Sequence, residues 1–341
     1  MKAAVLQKIQ VLTIEERPQP HPGPGEVSVR VRAVGVCGSD VHYYQDGRIG
    51  TQVVTAPLVL GHECAGEIAE LGEGVTDRHV GQRVAVEPGV PCRHCDMCKI
   101  GKYNLCYDMV FLGTPPIDGA YREYVVTAAD FAHPIPDSMR LDQAAMCEPL
   151  AVGLHAVNLS GMKPGDSVAV LGAGSIGLYT LQCAMTAGAG ATFVTDPLRY
   201  RLDIAKRLGA GRTLAPEEAT EAIMEATGGS GVDVVFEAAG ALDTPQQCFD
   251  IAARGGTVVF IGICSRDVQE VQFGIARRKE LTIKLVRRFA NVYPRSVALA
   301  GGGRVDLQCA ITHHFPLGDI AEAFRLVENY EDGVVKAIIE M

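Results

Sequence analysis

Cys92, Cys95, Cys98 and Cys106 follow the spacing C-x2-C-x2-C-x7-C. Thiolates this close in sequence suit one closed tetrahedral zinc, which leaves no position for substrate and therefore braces a loop. Arg93, Lys99 and Lys102 lie among them, where their charge can offset four thiolates around a dication. A second set of ligand types is scattered along the chain. Cys37 stands in Cys37-Gly38-Ser39-Asp40, His62 and Glu63 in Gly61-His62-Glu63, and Glu148 in Cys147-Glu148-Pro149. Cys37 and His62 with either Glu63 or Glu148 would supply sulfur, nitrogen and oxygen and leave a fourth position open, as in a catalytic zinc site. One thiolate and one carboxylate neutralise the ion, so it stays a moderate Lewis acid.

A glycine-rich turn follows at Gly172-Ala173-Gly174-Ser175-Ile176-Gly177. It lies between the apolar run Val168–Leu171, read as a strand, and Ile176–Ala187, read as a helix. In this context Gly172 permits the tight turn, Gly174 the close approach of a pyrophosphate, and Gly177 the helix–strand packing. Asp196 ends the next apolar run, where a carboxylate accepts hydrogen bonds from ribose hydroxyls and repels a 2′-phosphate. NAD is therefore expected over NADP. Arg201 could serve a 2′-phosphate, or be a solvated or adenine-stacking residue. Zinc together with a dinucleotide site implies one chemistry: hydride leaves the carbon of an alcohol for a nicotinamide ring.

These groups need two kinds of scaffold. Up to about residue 140, short β-branched runs (27–36, 66–68, 80–86) are broken by Gly and Pro, which predicts an irregular β-rich domain. Beyond about residue 150, apolar runs at 168–172, 191–196, 232–237, 257–263 and 281–286, with Leu214 as a short sixth, alternate with helical segments such as 201–208 and 219–226. That alternation predicts a doubly wound α/β domain. The last stretch is mixed and ends in the apolar run 337–339.

At 341 residues the chain is long enough for two domains, and a formal charge of −9 excludes a general nucleic-acid or anionic-membrane surface. No apolar stretch reaches the roughly 18 residues of a membrane helix, and no export signal is read, so a cytosolic location is expected. Eleven cysteines, an odd number, then imply reduced thiols and metal ligands rather than disulfides. Cys183, Cys248, Cys264 and Cys309 are read as plain apolar packing.

The chain resembles zinc-dependent medium-chain dehydrogenases, most closely the sorbitol (polyol) dehydrogenase branch. The resemblance spans essentially all of it. It rests on Cys37-Gly-Ser-Asp-Val-His-Tyr43, Gly61-His-Glu63, Glu148-Pro-Leu150, Gly172–Gly177 and Arg288-Phe-Ala-Asn291. It implies an α/β protein with a GroES-like catalytic domain over 1–149, to which 289–341 returns, a Rossmann domain over 150–288, and a homotetramer or dimer. It further implies that Cys37, His62 and Glu63 hold zinc, with Glu148 on the metal water or alternating as ligand. Ser39 and His42 match a proton relay, and Tyr43, Glu148 and Arg288 match contacts to substrate hydroxyls. Phe289 stands at a substrate position. Ile261, Ile263, Val286 and Arg288 join Gly172, Gly174, Ile176, Gly177, Asp196 and Arg201 as cofactor contacts. Simple-alcohol dehydrogenases resemble one another in a cysteine where this chain has Glu148, so a polyol substrate is implied. Two departures stand out: Arg287-Arg288-Phe289 replaces the Phe-Arg-Tyr common in that branch, and the four-cysteine cluster is complete where animal enzymes mostly lack it. Threonine, a sugar acid or a vicinal diol remain as other substrates of the same chemistry, and Arg287 would suit a carboxylate. A zinc- and NAD-binding regulatory protein is the reading of another class.

Overall fold

The computed structural model describes residues 1–341, and the chain divides into two compact units. The first takes Met1–Glu148, Tyr293–Gly303 and Ile311–Met341; the second takes Pro149–Val292 and Arg304–Ala310. The return to the first unit thus starts at Tyr293, and a short piece of the expected return stays with the second unit. Hydrogen bonds explain it: Tyr179 Oη donates to the Leu307 carbonyl at 2.8 Å, and Gln182 exchanges bonds with Asp306 at 3.2 and 2.7 Å.

In the first unit the strand Glu26–Gly35 is the hub. It pairs antiparallel with Glu63–Leu71, Tyr124–Ala128 and the C-terminal strand Lys336–Glu340. Its valines at 27, 29 and 31 alternate with Ser28, Arg30 and Arg32, as expected of an antiparallel strand with one face on the core, and with Val34 they are buried in one apolar core. Strand register then decides which residues become neighbours. Gly35 lies opposite Glu63 on one side and Ile338 on the other, so distant parts of the chain meet at one place. The strand expected only at 66–68 begins at Glu63, which makes that carboxylate a strand residue with a fixed direction.

The second unit is a six-stranded parallel sheet in the order Arg212–Leu214, Thr192–Thr195, Val168–Leu171, Val232–Glu237, Ala252–Phe260, Thr282–Leu285. This is the doubly wound order with its reversal beside Val168–Leu171, where ligands bind at the carboxyl ends of the strands. The fifth strand runs from Ala252 to Phe260, earlier than the apolar run suggests. Ile261 and Ile263 therefore lie past its end, and Val286 just past the end of the sixth. No helix is long and apolar enough to cross a membrane.

Candidate active site

The four clustered cysteines converge. Sγ–Sγ separations are 3.4 Å for Cys95–Cys98 and 4.0 Å for Cys92–Cys98 and Cys95–Cys106. Bonds of about 2.3 Å to one tetrahedral zinc imply roughly 3.8 Å between sulfurs, so the donors fit that ion and are too far apart for disulfides. Backbone N–H groups of Cys92 and Cys95 donate to the sulfurs of Cys106 and Cys92 at 3.2 and 3.4 Å, as charge on the thiolates requires. Arg93 bonds Asp130 at 2.7 Å and lies 5.5 Å over Phe131, with its guanidinium still close enough to interact electrostatically with Cys98.

Cys37, His62 and Glu63 form the second group, with their ligand atoms all within 4.8 Å of one another. Thiolate, imidazole and carboxylate this close can share one zinc, and of the two carboxylates Glu63 is the one grouped with them. Asp40 orders the set, a role the sequence reading missed. It is 1% exposed. Its Oδ1 accepts from the Gly61 N–H at 3.1 Å and lies 3.5 Å from His62 Nδ1. Its Oδ2 accepts from Tyr121 Oη at 2.9 Å and from the Cys37 N–H at 3.2 Å. One buried carboxylate thereby fixes the turn, the imidazole and the cysteine, as outer-shell partners of metal ligands do. Burial opposes a charge on His62, yet Asp40 and Cys37 outweigh it and raise its pKa well above the ordinary value. A metal cation would take the place of that proton. Gly61 is required here: its φ is +92° and a Cβ would come within 3.0 Å of the Tyr121 ring.

Glu148 is 4% exposed at the start of the helix Cys147–Ser160. Burial pushes its carboxyl up to about 7, with His62 opposing and Glu63 adding to the rise. It is thus electrostatically coupled to the group without belonging to it. Cys147 is fully buried, and burial alone pushes its thiol up to about 12, so it packs as a hydrophobe. Ser39 and His42, three apart on the helix Gly38–Asp46, share a face and are both partly exposed. Tyr43 is buried and donates to Gln52 Oε1 at 3.5 Å. Arg288 and Phe289 belong to the second unit. Arg288 has a φ of +52°, Phe289 is 4% exposed, and Arg287 is exposed.

In the second unit the glycines divide their work visibly. A Cβ on Gly177 would lie 1.8 Å from the Gly172 carbonyl oxygen, and one on Gly172, at φ +98°, 2.8 Å from Ala239 N. Those two serve internal packing. At Gly174, N-cap of the helix Ser175–Thr186, a Cβ would meet nothing nearer than Arg201 Nη1 at 3.8 Å. The space above it suits a pyrophosphate at a helix N-terminus. Asp196 Oδ2 accepts from the Ala173 N–H at 2.8 Å and Oδ1 from the Leu198 N–H at 2.9 Å. Arg201 lies 3.9 Å from Asp196 with its side chain 12% exposed, so it is no solvated helix residue. Glu237, overlooked in the sequence, is 2% exposed and accepts from Ala239 N–H, Gly240 N–H and Thr244 Oγ1 at 3.0, 2.8 and 2.8 Å. It shapes the turn on which Gly172 packs.

Comparison with known proteins matches this construction. The profile of the alcohol dehydrogenase GroES-like domain matches residues 23–137, and that of zinc-binding dehydrogenases residues 175–301. The chain is 40% identical to sorbitol dehydrogenase of Bacillus subtilis (strain 168), covering 99% of this chain and 97% of that one. It is 38% identical to D-xylulose reductase of Morganella morganii, over 95% and 96%. The crystal structure of a short chain alcohol dehydrogenase from Escherichia coli in complex with NADH superposes with a TM-score of 0.91 at 33% identity, covering 100% and 99%. The chain belongs to the zinc-dependent medium-chain dehydrogenase family.

Proposed function

We propose that the protein oxidises a secondary hydroxyl of a polyol to a ketone with NAD as acceptor. The convergence of Cys37, His62 and Glu63 carries this reading, and it stands in a chain with a complete dinucleotide fingerprint. Support for a polyol comes from two similar proteins, a sorbitol dehydrogenase and a D-xylulose reductase, and from Glu148 at the position the simple-alcohol branch gives to cysteine. When bound, zinc supplies a Lewis acid that makes a hydroxyl more acidic, and NAD supplies the hydride acceptor.

The protein's own groups orient and relay. Asp40 holds the His62 ring, and Tyr121 holds Asp40. Ser39 Oγ accepts the proton of the substrate hydroxyl as it gives up its own, and His42, one turn further along the helix and partly exposed, is the base that takes the relayed proton and releases it to solvent. Glu148 accepts a hydrogen bond from a neighbouring hydroxyl, which a thiolate would do poorly. His42→Ala is expected to lower kcat by about 100- to 10,000-fold, most at low pH, with zinc content unchanged. A stopped-flow pH–rate profile identical to that of the unmutated enzyme would make His42 a packing residue.

Cofactor choice is set at the second strand. Asp196→Ala is expected to narrow the preference for NAD over NADP, because it removes the carboxylate and leaves Arg201 for a 2′-phosphate. Steady-state kinetics with both cofactors check this, and an NADP preference in the unmutated enzyme would contradict it. We further propose that the enzyme works in the cytosol as a homotetramer or dimer. Sedimentation would measure the oligomer.

The deciding experiment follows NADH absorbance across a panel of polyols, threonine, sugar acids, a vicinal diol and monohydric alcohols. Turnover confined to a carboxylate-bearing substrate would move the assignment toward Arg287. No turnover on any of them would favour a binding protein.

A further inference from the structure

The most unusual charge in the molecule belongs to neither ligand set. Lys336, on the C-terminal strand, is 3% exposed. Its Nζ donates to Glu63 Oε1 and Oε2, both at 2.8 Å, and to the Val36 carbonyl at 2.9 Å. All three ammonium donors are thus satisfied inside the protein, so Lys336 has no proton to give a substrate. The arrangement is built by the backbone. The C-terminal strand and Glu63–Leu71 flank Glu26–Gly35 on its two sides, and Gly35 leaves room for the pair, since a Cβ there would lie 2.1 Å from Glu63 Oε2.

Glu63 therefore faces two cations. One is the ammonium of Lys336; the other is whatever ion the Cys37–His62–Glu63 group holds. We infer that Lys336 is a resident counter-cation that shares the Glu63 carboxylate with the zinc, keeping the metal-free group folded and weakening its hold on the metal. This rests on zinc being the ion held by those three residues. A carboxylate already bonded through both oxygens donates less charge to a second cation. Without the ammonium, a buried carboxylate would be left with the metal as its one strong partner.

Lys336→Met tests this, with zinc affinity read by competition against a chromophoric chelator and melting temperature read with and without zinc. The readily chelated zinc is expected to bind on the order of tenfold or more tighter in the variant, from loss of one unit charge against the shared carboxylate. The rise in Tm on zinc addition is expected to be larger than in the unmutated protein. Glu63→Gln/Lys336→Met removes both charges, folds without a stranded carboxylate, and, lacking the carboxylate ligand, is expected to bind the readily chelated zinc more weakly than the unmutated protein. Lys336→Arg keeps the charge and is expected to retain ordinary affinity. Equal zinc affinity and an equal Tm rise in the unmutated protein and Lys336→Met would overturn the inference alone. Should Lys336→Met not fold, zinc binding by the double variant as tight as by the unmutated protein would overturn it. Absence of any readily chelated zinc in the unmutated protein would overturn it together with the zinc site.

Discussion

The unmutated enzyme is expected to oxidise a four- to six-carbon polyol with kcat/KM on the order of 10,000-fold above that for ethanol or 2-propanol. The reason is a penalty, more than an attraction. Glu148 is buried beside His62 and Glu63, and Tyr43 is buried with its hydroxyl on Gln52. A substrate without adjacent hydroxyls leaves the Glu148 carboxyl unmet, while Tyr43 keeps its bond to Gln52, and a buried unmet polar group costs about 1–3 kcal/mol, more when charged. Glu148→Cys removes the oxygen acceptors, so it is expected to shrink the polyol advantage by about tenfold or more. Kinetics on paired substrates such as xylitol and 2-propanol measure this. A preference for the monohydric alcohol in the unmutated enzyme would sink the polyol assignment and leave the family membership intact.

His62→Ala is expected to lower kcat/KM by about 1,000-fold or more, since Lewis-acid stabilisation is worth several kcal/mol and 1.36 kcal/mol is a factor of ten. Zinc content is expected to fall by one ion per subunit, with the four-cysteine ion retained. Asp40→Asn is the milder companion. It keeps the shape but weakens the hold on the His62 ring, for an expected 10- to 100-fold loss of metal affinity. Activity of His62→Ala within a few-fold of the parent, measured under the same assay, would remove His62 from the site.

Local patterns carried most of the fold. The continuous apolar runs around Val170 and Val235 read as buried parallel strands because both faces of that sheet are covered. Gly172–Gly177 was legible because its glycines answer to sterics within a few residues. The four-cysteine loop was legible because its donors lie close together in sequence. Whatever depends on long-range pairing was not. Lys336 reads as one lysine before a short apolar run, and only strand register brings it to Glu63, 273 residues away. Asp40 was visible inside its motif, but the bonds that give it a role come from Gly61 and Tyr121, and no spacing rule links them. Glu237 ends a strand like many acidic residues, and its function lies in the turn it folds around itself. Arg201 could be weighed but not placed, since its relation to Asp196 and Gly174 depends on side-chain direction.

Turnover should depend on a metal held by Cys37, His62 and Glu63. The most direct test is zinc analysis of the purified protein before and after brief chelation, with polyol-dependent NADH formation followed in the same samples. About two zinc ions per subunit are expected at first, one removed readily with all activity and one retained with the fold, because the open three-ligand group exchanges and the closed cysteine group does not. Activity is expected to return in proportion as zinc is added back. A single, tightly held zinc at Cys92–Cys106 in an active enzyme, unaffected by chelation, would contradict a catalytic metal at Cys37, His62 and Glu63.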